Sequence, residues 1–343
     1  MSVRVLPLEE DRFSAWDAFV ASAPEATFFH VSGWKPAIES VFRHRCPYLM
    51  AVRGTHPTGI LPLVHLKSRL FGSALISTAF CVYGGPVAVD ADSKAALDDA
   101  ARGLARELGV DYLEYRSQHR SGRDWPSEST LYATFRKRLP DNPDAVFAAI
   151  PRKRRAELRK ALSLGMDAIQ EADTDRFYRL YARNMHRHGT PVLPRRWFRA
   201  LKRSFGPGCD CTLIVRQGTP VSGVLSFRFR DTVLPYYAGA TDEARTLRAN
   251  DLMYWDLMRR IAGQGGGEFD FGRSKTGTGA FAYKRSWGFE PAALHYEYQL
   301  LRRSEVPQVN PLNPKYRLLI GLWKRLPFAL ANLIGPPIAR GLG

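Results

Sequence analysis

A glycine-rich segment at residues 269–291, FDFGRSKTGTGAFAYKRSWGFEP, is the strongest candidate for a chemical site. A phosphate-binding P-loop would need Lys and then Ser or Thr at the positions that Thr278 and Gly279 occupy. A dinucleotide fingerprint is not completed either, because Gly277-Thr278-Gly279 continues as Ala-Phe-Ala without the third glycine. The segment instead predicts a mobile glycine loop after a strand, ending in the aromatic-lysine pair Tyr283-Lys284.

Other common catalytic and metal-binding patterns are missing from the sequence. The four cysteines, Cys46, Cys81, Cys209 and Cys211, form no CxxC pair and no Cys/His set at zinc spacing, so we expect no metal. They indicate buried thiols in a reducing compartment. No GxSxG motif is present, which argues against a serine hydrolase.

The elements before the glycine segment predict a mixed α/β domain. A helix follows Pro151 and ends near Gly165, two further helices follow it, and three runs of alternating apolar residues predict antiparallel strands. One more helix and a strand lead into the segment. These last five elements are CTLIVRQ, SGVLSFRFR, TVLPYYAGA, NDLMYWDLMRRIAG and GEFDFGRS.

The first half of the chain repeats this order of helices, antiparallel strands, helix and closing strand. Its strands include PYLMAVRG and ILPLVHLKS, and its last helix ends before Gly109. The closing strands of both halves end in Arg-Ser, at 116–117 and 273–274. We therefore expect an α/β fold of α+β type with mixed sheets and two copies of one domain, at 1–145 and 146–302, followed by a tail at 303–343.

The charge of the chain favours an anionic partner. Its 343 residues hold 50 Lys and Arg against 33 Asp and Glu, a formal net charge of +17. Phosphorylated substrates, RNA and an acidic membrane surface all fit this balance, and many basic proteins have no such partner. The first residues lack an apolar signal segment and no run approaches the roughly 20 apolar residues of a membrane span, so we expect a cytoplasmic protein.

Several motifs spread along the chain give a resemblance to a known family. They are FFHVSGW at 28–34, LPLVHLKSRLFG at 61–72, YGGP at 83–86, NMHRHGTPV at 184–192 and GRSKTGTGAFAYKRSWGFEP at 272–291. In this order they resemble the FemAB family, whose closing motif has a strand end, a loop of small residues and an aromatic-lysine pair before a Trp/Phe-Gly step. The sequence looks closest to the FemAB-like proteins associated with exosortase/PEP-CTERM exopolysaccharide systems.

The resemblance implies two tandem GNAT-like acyl-CoA N-acyltransferase domains. The best-known family members transfer an amino acid from aminoacyl-tRNA to an amine of a peptidoglycan precursor. The long helical hairpin that several members insert in the second domain is absent from this sequence, so acyl-CoA stays open as the donor beside aminoacyl-tRNA. The implied acceptor is a phosphorylated or lipid-linked envelope precursor. We expect no permanently bound cofactor, and a monomer.

Acyl transfer to an amine needs a positioned donor and acceptor, a proton acceptor, and stabilisation of the oxyanion that forms on the carbonyl. By resemblance, Lys284 is the residue that supplies the positive charge to that oxyanion, and Tyr283 shapes the pocket. Asp270 and Glu290 are candidate bases, although acids at strand ends often cap loops.

Five further residues are candidate binding groups. Arg155 and Arg159, four apart on one helix face, predict a phosphate clamp by analogy with basic residues of the family, or else a solvated basic face. Arg116 would face the cleft between the domains. Tyr237 lies on the strand that would line an acyl or pantetheine groove, and Lys35 is a candidate phosphate ligand.

The C-terminal tail has Tyr316, Leu319, Ile320 and Trp323 at helical spacing, flanked by basic residues. This pattern predicts either a helix at the inner membrane surface or a helix packed on the protein. Two alternatives to an enzyme stay open: a non-catalytic RNA-binding module, and a membrane-surface assembly factor with a degenerate site.

Overall fold

The computed structural model describes residues 2–307 and 314–343. The chain divides into two compact units. The first contains Met1–Thr130, Ala293–Gln308 and Arg340–Gly343, and the second contains Leu131–Ala292 and Val309–Ala339.

The units divide at other positions than the sequence boundary at 145/146, because distant strands pair. Strand β9 (Tyr132–Leu139) lies on the N-terminal side of that boundary and pairs antiparallel with β14 (Gly267–Asp270) of the second unit. β17 (His295–Leu300) pairs antiparallel with β7 (Tyr112–Ser117) of the first unit. Both pairings join segments far apart in the sequence, which local patterning does not reveal.

The first unit packs helices on two small sheets. One sheet has the order β1-β2-β3-β6, and the other has the order β4-β5-β7-β17-β8. Its α3 buries Leu97, Ala101 and Ala105 in a core that includes Leu49, Leu61 and Leu113. The remaining elements of this unit are β1 (Arg4–Pro7), α1 (Phe13–Ser22), α2 (Trp34–Phe42), β2 (Leu49–Arg53), β3 (His56–Leu61), β4 (Val64–Ser68), β5 (Gly72–Ser77), β6 (Val87–Ala88), α3 (Ala91–Glu107) and β8 (Ser127–Glu128).

The second unit has one large mixed sheet, in the order β10-β11-β12-β13-β14-β9-β15 with β16 paired to β9. The buried face of α8, with Met253, Leu257 and Ile261, packs in the core of this unit together with Phe269. Its elements, in addition to β9 and β14, are α4 (Pro143–Ala149), α5 (Arg152–Leu162), β10 (Met166–Glu171), α6 (Asp175–His188), α7 (Arg195–Phe205), β11 (Cys209–Arg216), β12 (Thr219–Phe229), β13 (Thr232–Ala240), α8 (Ala249–Ala262), β15 (Ser274–Lys275), α9 (Gly279–Arg285), β16 (Pro291–Ala293), α10 (Pro314–Arg325) and α11 (Phe328–Ala339).

Two local predictions differ from the structure. The run ILPLVHLKS forms parts of two strands and not one. β3 ends before Pro62 and β4 begins after Leu63, since proline donates no ladder hydrogen bond. The glycine-rich segment is not one long loop. Ser274 pairs with Ala133 of β9, and α9 starts at Gly279 with Thr278 as its cap, whose hydroxyl accepts from the Phe281 amide.

Candidate active site

The sheet of the second unit opens between β13 and β14. Among the described residues these parallel strands pair at two positions, Thr232 with Glu268 and Val233 with Phe269. β13 continues to Ala240, whereas the chain after β14 follows β9 instead, with the Phe271 amide donating to a β9 carbonyl at 2.9 Å. Ligands of open α/β sheets bind at the carboxyl ends of diverging strands, so this opening is the candidate site.

Lys284 ties α9 to the end of β14. Its Nζ donates to the carbonyl oxygens of Phe271 at 2.6 Å, Gly272 at 2.9 Å and Arg273 at 3.1 Å. The predicted position on a loop is wrong, because Lys284 lies in the last turn of α9. All three ammonium protons are used, and they hold three consecutive carbonyls around one positive charge.

The electrostatics at Lys284 balance opposing effects. Burial lowers its pKa to about 7, Asp270 raises that pKa, and Arg273 lowers it further. The three carbonyl acceptors favour the charged ammonium form as well. This lysine therefore combines a positive charge with a pKa close to neutral pH, which is a common feature of catalytic groups.

Asp270, the predicted base, is buried at the end of β14. Its Oδ1 accepts from the amide of Gly272 at 2.7 Å and from the Thr134 hydroxyl at 3.2 Å. Its other oxygen, Oδ2, lies 3.8 Å from Nε of Arg136. The carboxylate thus stabilises the turn that presents carbonyls to Lys284, and Glu290, the other candidate base, is exposed.

A second cluster, which the sequence analysis did not identify, joins α5, α8 and α9. Asp251 is 3% exposed, and its Oδ1 accepts from Nη1 of Arg154 at 2.9 Å and from the hydroxyl of Tyr283 at 2.6 Å. Arg154 also donates to the Ser286 hydroxyl at 2.5 Å, and its guanidinium lies 4.7 Å from the centre of the Tyr283 ring. Tyr283 therefore anchors α9 to the first turn of α8.

Burial sets the ionisation of this cluster. It raises the pKa of Asp251, and the hydrogen bond from Tyr283 and the charge of Arg154 act against that rise. Burial also raises the pKa of Tyr283 well above its usual value, with Asp251 adding to the effect. One signal for the cluster is present in the sequence, because Asp251 interrupts the apolar face of α8 and a buried carboxylate needs a partner.

Two further basic residues, Arg273 and Lys275, lie between the end of β14 and the start of α9. The Arg273 guanidinium lies 4.4 Å from the centre of the Tyr132 ring, and Nζ of Lys275 lies 5.7 Å from the same ring. Burial lowers the pKa of Lys275 to about 8, and Arg273 contributes to that shift. Positive charge therefore accumulates along β15 and the end of β14.

The two arginines predicted as a phosphate clamp on α5 contact α4. Nη1 of Arg155 donates to the carbonyl of Ala148 at 3.0 Å, and the Arg159 guanidinium lies 5.4 Å from the ring centre of Phe147. Both contacts hold α5 against α4. The neighbouring Arg154 is the α5 residue that reaches α9, because it lies on a different face of the helix.

Arg116 and Lys35 belong to the first unit and have partners inside it. Nε of Arg116 donates to Glu114 at 2.7 Å and its Nη1 to the Cys81 carbonyl at 2.8 Å, so this side chain is buried within the first unit. Nζ of Lys35 donates to Glu39 at 2.9 Å and to a backbone carbonyl at 2.8 Å. These contacts tie α2 to the chain segment that follows it.

Tyr237 packs on β13 beneath α6 and α7. Its hydroxyl accepts from Nε1 of Trp197 at 3.1 Å, and its ring lies edge-on to Phe198 and to Tyr181 at 5.2 and 6.0 Å between centroids. These contacts are those of a packing residue. The structure thus brings Lys284, Asp270 and Tyr283 to one end of the sheet and places Tyr237 among aromatic residues of α6 and α7.

The family described as Acetyltransferase (GNAT) domain matches residues 149–285. This region is similar to GNAT acetyltransferase domains. It begins just before α5, includes the β13/β14 opening and ends on Lys284-Arg285, so the candidate site lies within the matched residues. The prediction of an acyltransferase is confirmed by this domain.

Solved structures extend the fold to nearly the whole chain. The FemX structure is 14% identical, with a TM-score of 0.68 over 92% of this chain and all of FemX. A tandem GNAT protein from the clavulanic acid biosynthesis pathway is 13% identical, with a TM-score of 0.55 over 89% of this chain and 100% of that protein's chain. The L-PGS structure from Bacillus licheniformis is 10% identical, with a TM-score of 0.55 over 93% and 98% of the two chains.

These likenesses confirm the predicted fold class, an α/β architecture with two GNAT-like domains. No curated protein sequence matches the chain. Within residues 2–307 and 314–343, no three or more His, Cys, Asp or Glu side chains are grouped to hold a metal ion. No helix in the same ranges has both the length and the apolarity to cross a membrane. All four cysteines are buried, as predicted.

Proposed function

We propose that this protein is an N-acyltransferase whose reaction takes place at the β13/β14 opening of the second unit. The observation that carries the proposal is the position of Lys284. It is part of the GNAT-matched region, and its ammonium binds the carbonyls that follow a diverging parallel strand, which concentrates positive charge at the carboxyl end of that strand. An acyl carbonyl placed at this end would develop its negative charge close to that ammonium.

In the proposed reaction an acceptor amine attacks an activated acyl carbonyl. A C–N bond forms, and the C–S bond of an acyl-CoA or the C–O bond of an aminoacyl ester breaks. The amine proton leaves through a base, and the departing sulfur or oxygen takes up a proton. We assign charge stabilisation to Lys284, with one carbonyl hydrogen bond exchanged for the substrate oxygen, and we assign alignment of the strand end to Asp270.

Two donors fit the proposal. GNAT domains use acyl-CoA without a permanent cofactor. The FemAB motif resemblance supports aminoacyl-tRNA, which the +17 net charge would attract. For the acceptor we propose a phosphorylated or lipid-linked precursor of the cell envelope, such as peptidoglycan or an exosortase-associated exopolysaccharide, used by a monomer at the cytoplasmic face of the inner membrane.

Filter binding of the full chain to labelled acetyl-CoA, charged tRNA and uncharged tRNA, at low and moderate salt, tests the proposal. Saturable acetyl-CoA binding, or a preference for charged over uncharged tRNA, is the expected result. Lys284→Met should weaken donor binding or turnover, whereas the exposed Lys153→Met on α5 serves as a matched loss of charge. Weak, salt-sensitive binding that is equal for both tRNAs, without acetyl-CoA binding, would favour a non-catalytic RNA-binding module and reject the enzyme.

A further inference from the structure

The two C-terminal helices, α10 and α11, present large apolar side chains to solvent. Leu319 and Leu322 on α10 are each 53% exposed, and Leu330 and Leu333 on α11 are 42% and 73% exposed. We call these four residues the leucine face. On each helix they are spaced three residues apart, so they lie on one side of that helix.

The opposite side of these helices is fixed to α6. Nε2 of His186 hydrogen-bonds to the carbonyl of Leu326 at 2.9 Å, and the Tyr178 hydroxyl donates to Oδ1 of Asn332 at 3.1 Å. A Cβ at Gly189, at the end of α6, would lie 2.6 Å from Ile320, so α10 approaches closely there. The leucine face therefore does not point toward α6.

The distribution of side-chain size on α11 is the reverse of that on a surface helix of a soluble domain. Its buried positions are the small residues Ala331, Gly335 and Ala339, while Leu330 and Leu333 are exposed. A helix that only covered α6 would bury its leucines, because each exposed leucine forgoes the free energy of its burial. Several large apolar side chains exposed on two neighbouring helices of the sequence indicate an interaction site.

The charges around the leucine face identify the partner. Lys324 and Arg325, between the two leucine pairs in sequence, are both exposed. The stem of Lys324 lies beside Gly189 at the end of α6, so its ammonium reaches solvent from the edge of the leucine face rather than from its centre. After Glu305 the sequence contains five basic and no acidic residues. Exposed leucines with flanking cations and no carboxylates match the boundary between acyl chains and anionic headgroups of a bilayer.

We propose that the leucine face, with Lys324 and Arg325, docks the protein onto an anionic phospholipid membrane. The leucines enter the boundary of the acyl chains and the two cations contact phosphate groups. The contact is peripheral, since no helix in the described parts of the chain is long and apolar enough to span a bilayer. This docking would bring the second unit to the surface where a lipid-linked acceptor resides, but it does not depend on acyl transfer.

Co-sedimentation of the full chain with vesicles of phosphatidylcholine, with and without phosphatidylglycerol, tests the docking. We expect binding to the mixed vesicles and at least a tenfold loss with Leu330→Ser/Leu333→Ser. Lys324→Gln/Arg325→Gln should reduce the affinity about 30-fold, from roughly fivefold per charge near an anionic surface. High salt should weaken binding of the wild-type chain in the same direction.

The matched control is Leu162→Ser on α5, which is 49% exposed in the same unit and has no place in the leucine face. Since the substituted leucines are exposed, thermal unfolding should be nearly unchanged in all variants, which separates loss of docking from loss of folding. Equal losses in control and leucine-face variants, or equal binding to neutral vesicles, would overturn the proposal.

A dimer that the leucine-face variants convert to a monomer, without vesicle binding, would also overturn it and assign the face to a second copy. Light scattering after size exclusion measures this outcome. Donor binding is measured separately, so a failure of docking leaves the proposed acyl transfer standing, and a failure of donor binding leaves the docking standing.

Discussion

Removing Arg154 should expose the dependence of the candidate site on the buried carboxylate of Asp251. The perturbation is Arg154→Met, which keeps the length and apolar volume of the stem and deletes the charge. The two side chains are 17% and 4% exposed and their contact is 2.9 Å. Tyr283 would remain as the partner of the carboxylate.

The expected cost follows from leaving a charge buried without its counter-ion. Breaking such a pair from one side costs about 3 to 5 kcal/mol, and the partial exposure of Arg154 favours the lower end, about 3 kcal/mol. For a unit of this size, that lowers the midpoint of thermal unfolding by about 6 to 12 °C. Arg154→Met/Asp251→Leu replaces the pair with apolar groups, so the double variant should lose far less than the sum of the two single variants.

The pH dependence gives a second readout of the same reasoning. Burial raises the pKa of Asp251 in the folded state, so its contribution to stability is greatest at low pH and is lost as the pH rises through that folded pKa. Loss of the Arg154 charge raises this pKa further. The destabilisation by Arg154→Met should therefore be larger at pH 7 than near pH 4, because protonation of the carboxyl at low pH removes its need for a cation.

Urea unfolding of the four proteins of the cycle at pH 7, repeated near pH 4, measures both effects. Lys153→Met, on the exposed side of the same helix, controls for the loss of one positive charge. Two results would refute the argument that the pair is desolvated and coupled. One is a loss of unfolding free energy for Arg154→Met within about 0.5 kcal/mol of the loss for that control. The other is a loss for the double variant equal to the sum of the two single-variant losses.

Two further predictions concern the site and the helix above the sheet. Because burial lowers the pKa of Lys284 to about 7, the rate of transfer that depends on its ammonium, measured as kcat/KM, should fall about 16-fold between pH 7 and 8.5 in the wild type. In an active Lys284→Arg the rate should stay level, because the guanidinium keeps its charge. A level wild-type profile contradicts this. Gly239→Ala should lower the free energy of unfolding by about 1 to 3 kcal/mol, since its Cβ would lie 2.4 Å from the backbone nitrogen of Tyr181. Gly103→Ala, which has open space around its Cβ, should not destabilise the protein. Equal effects of the two substitutions in chemical unfolding would show that α6 shifts to accommodate the methyl group.

Local features of the sequence were read correctly where local physics decides them. Alternating apolar residues predicted β11, β12 and β13, and their register as consecutive antiparallel neighbours follows from short turns. The run NDLMYWDLMRRIAG likewise predicted the helix that forms as α8 (Ala249–Ala262). The fold class followed from the order of such elements, together with motifs that resemble a known family.

The glycine segment shows where local reasoning stops. Four glycines predicted a mobile loop, yet a two-residue strand forms because β9, more than 130 residues earlier, offers an edge to Ser274. The start of α9 has a local signal, the Thr278 cap, which the glycines on either side obscured. Both outcomes depend on which backbone N–H and C=O groups form hydrogen bonds with each other, and two strands that pair in a sheet need not be close in sequence.

By itself the sequence determined the charge, the apolar periods and the mixed α/β class, and it indicated Lys284 as a candidate site residue. Only the tertiary structure decided which groups meet. It turned Arg154 rather than Arg155 toward Asp251, and it gave Lys284 three carbonyls from a strand end that parts from β13. The physical reason is that hydrogen bonds and desolvated charges act over a few ångströms, and the distances between distant segments are set by packing of the whole unit.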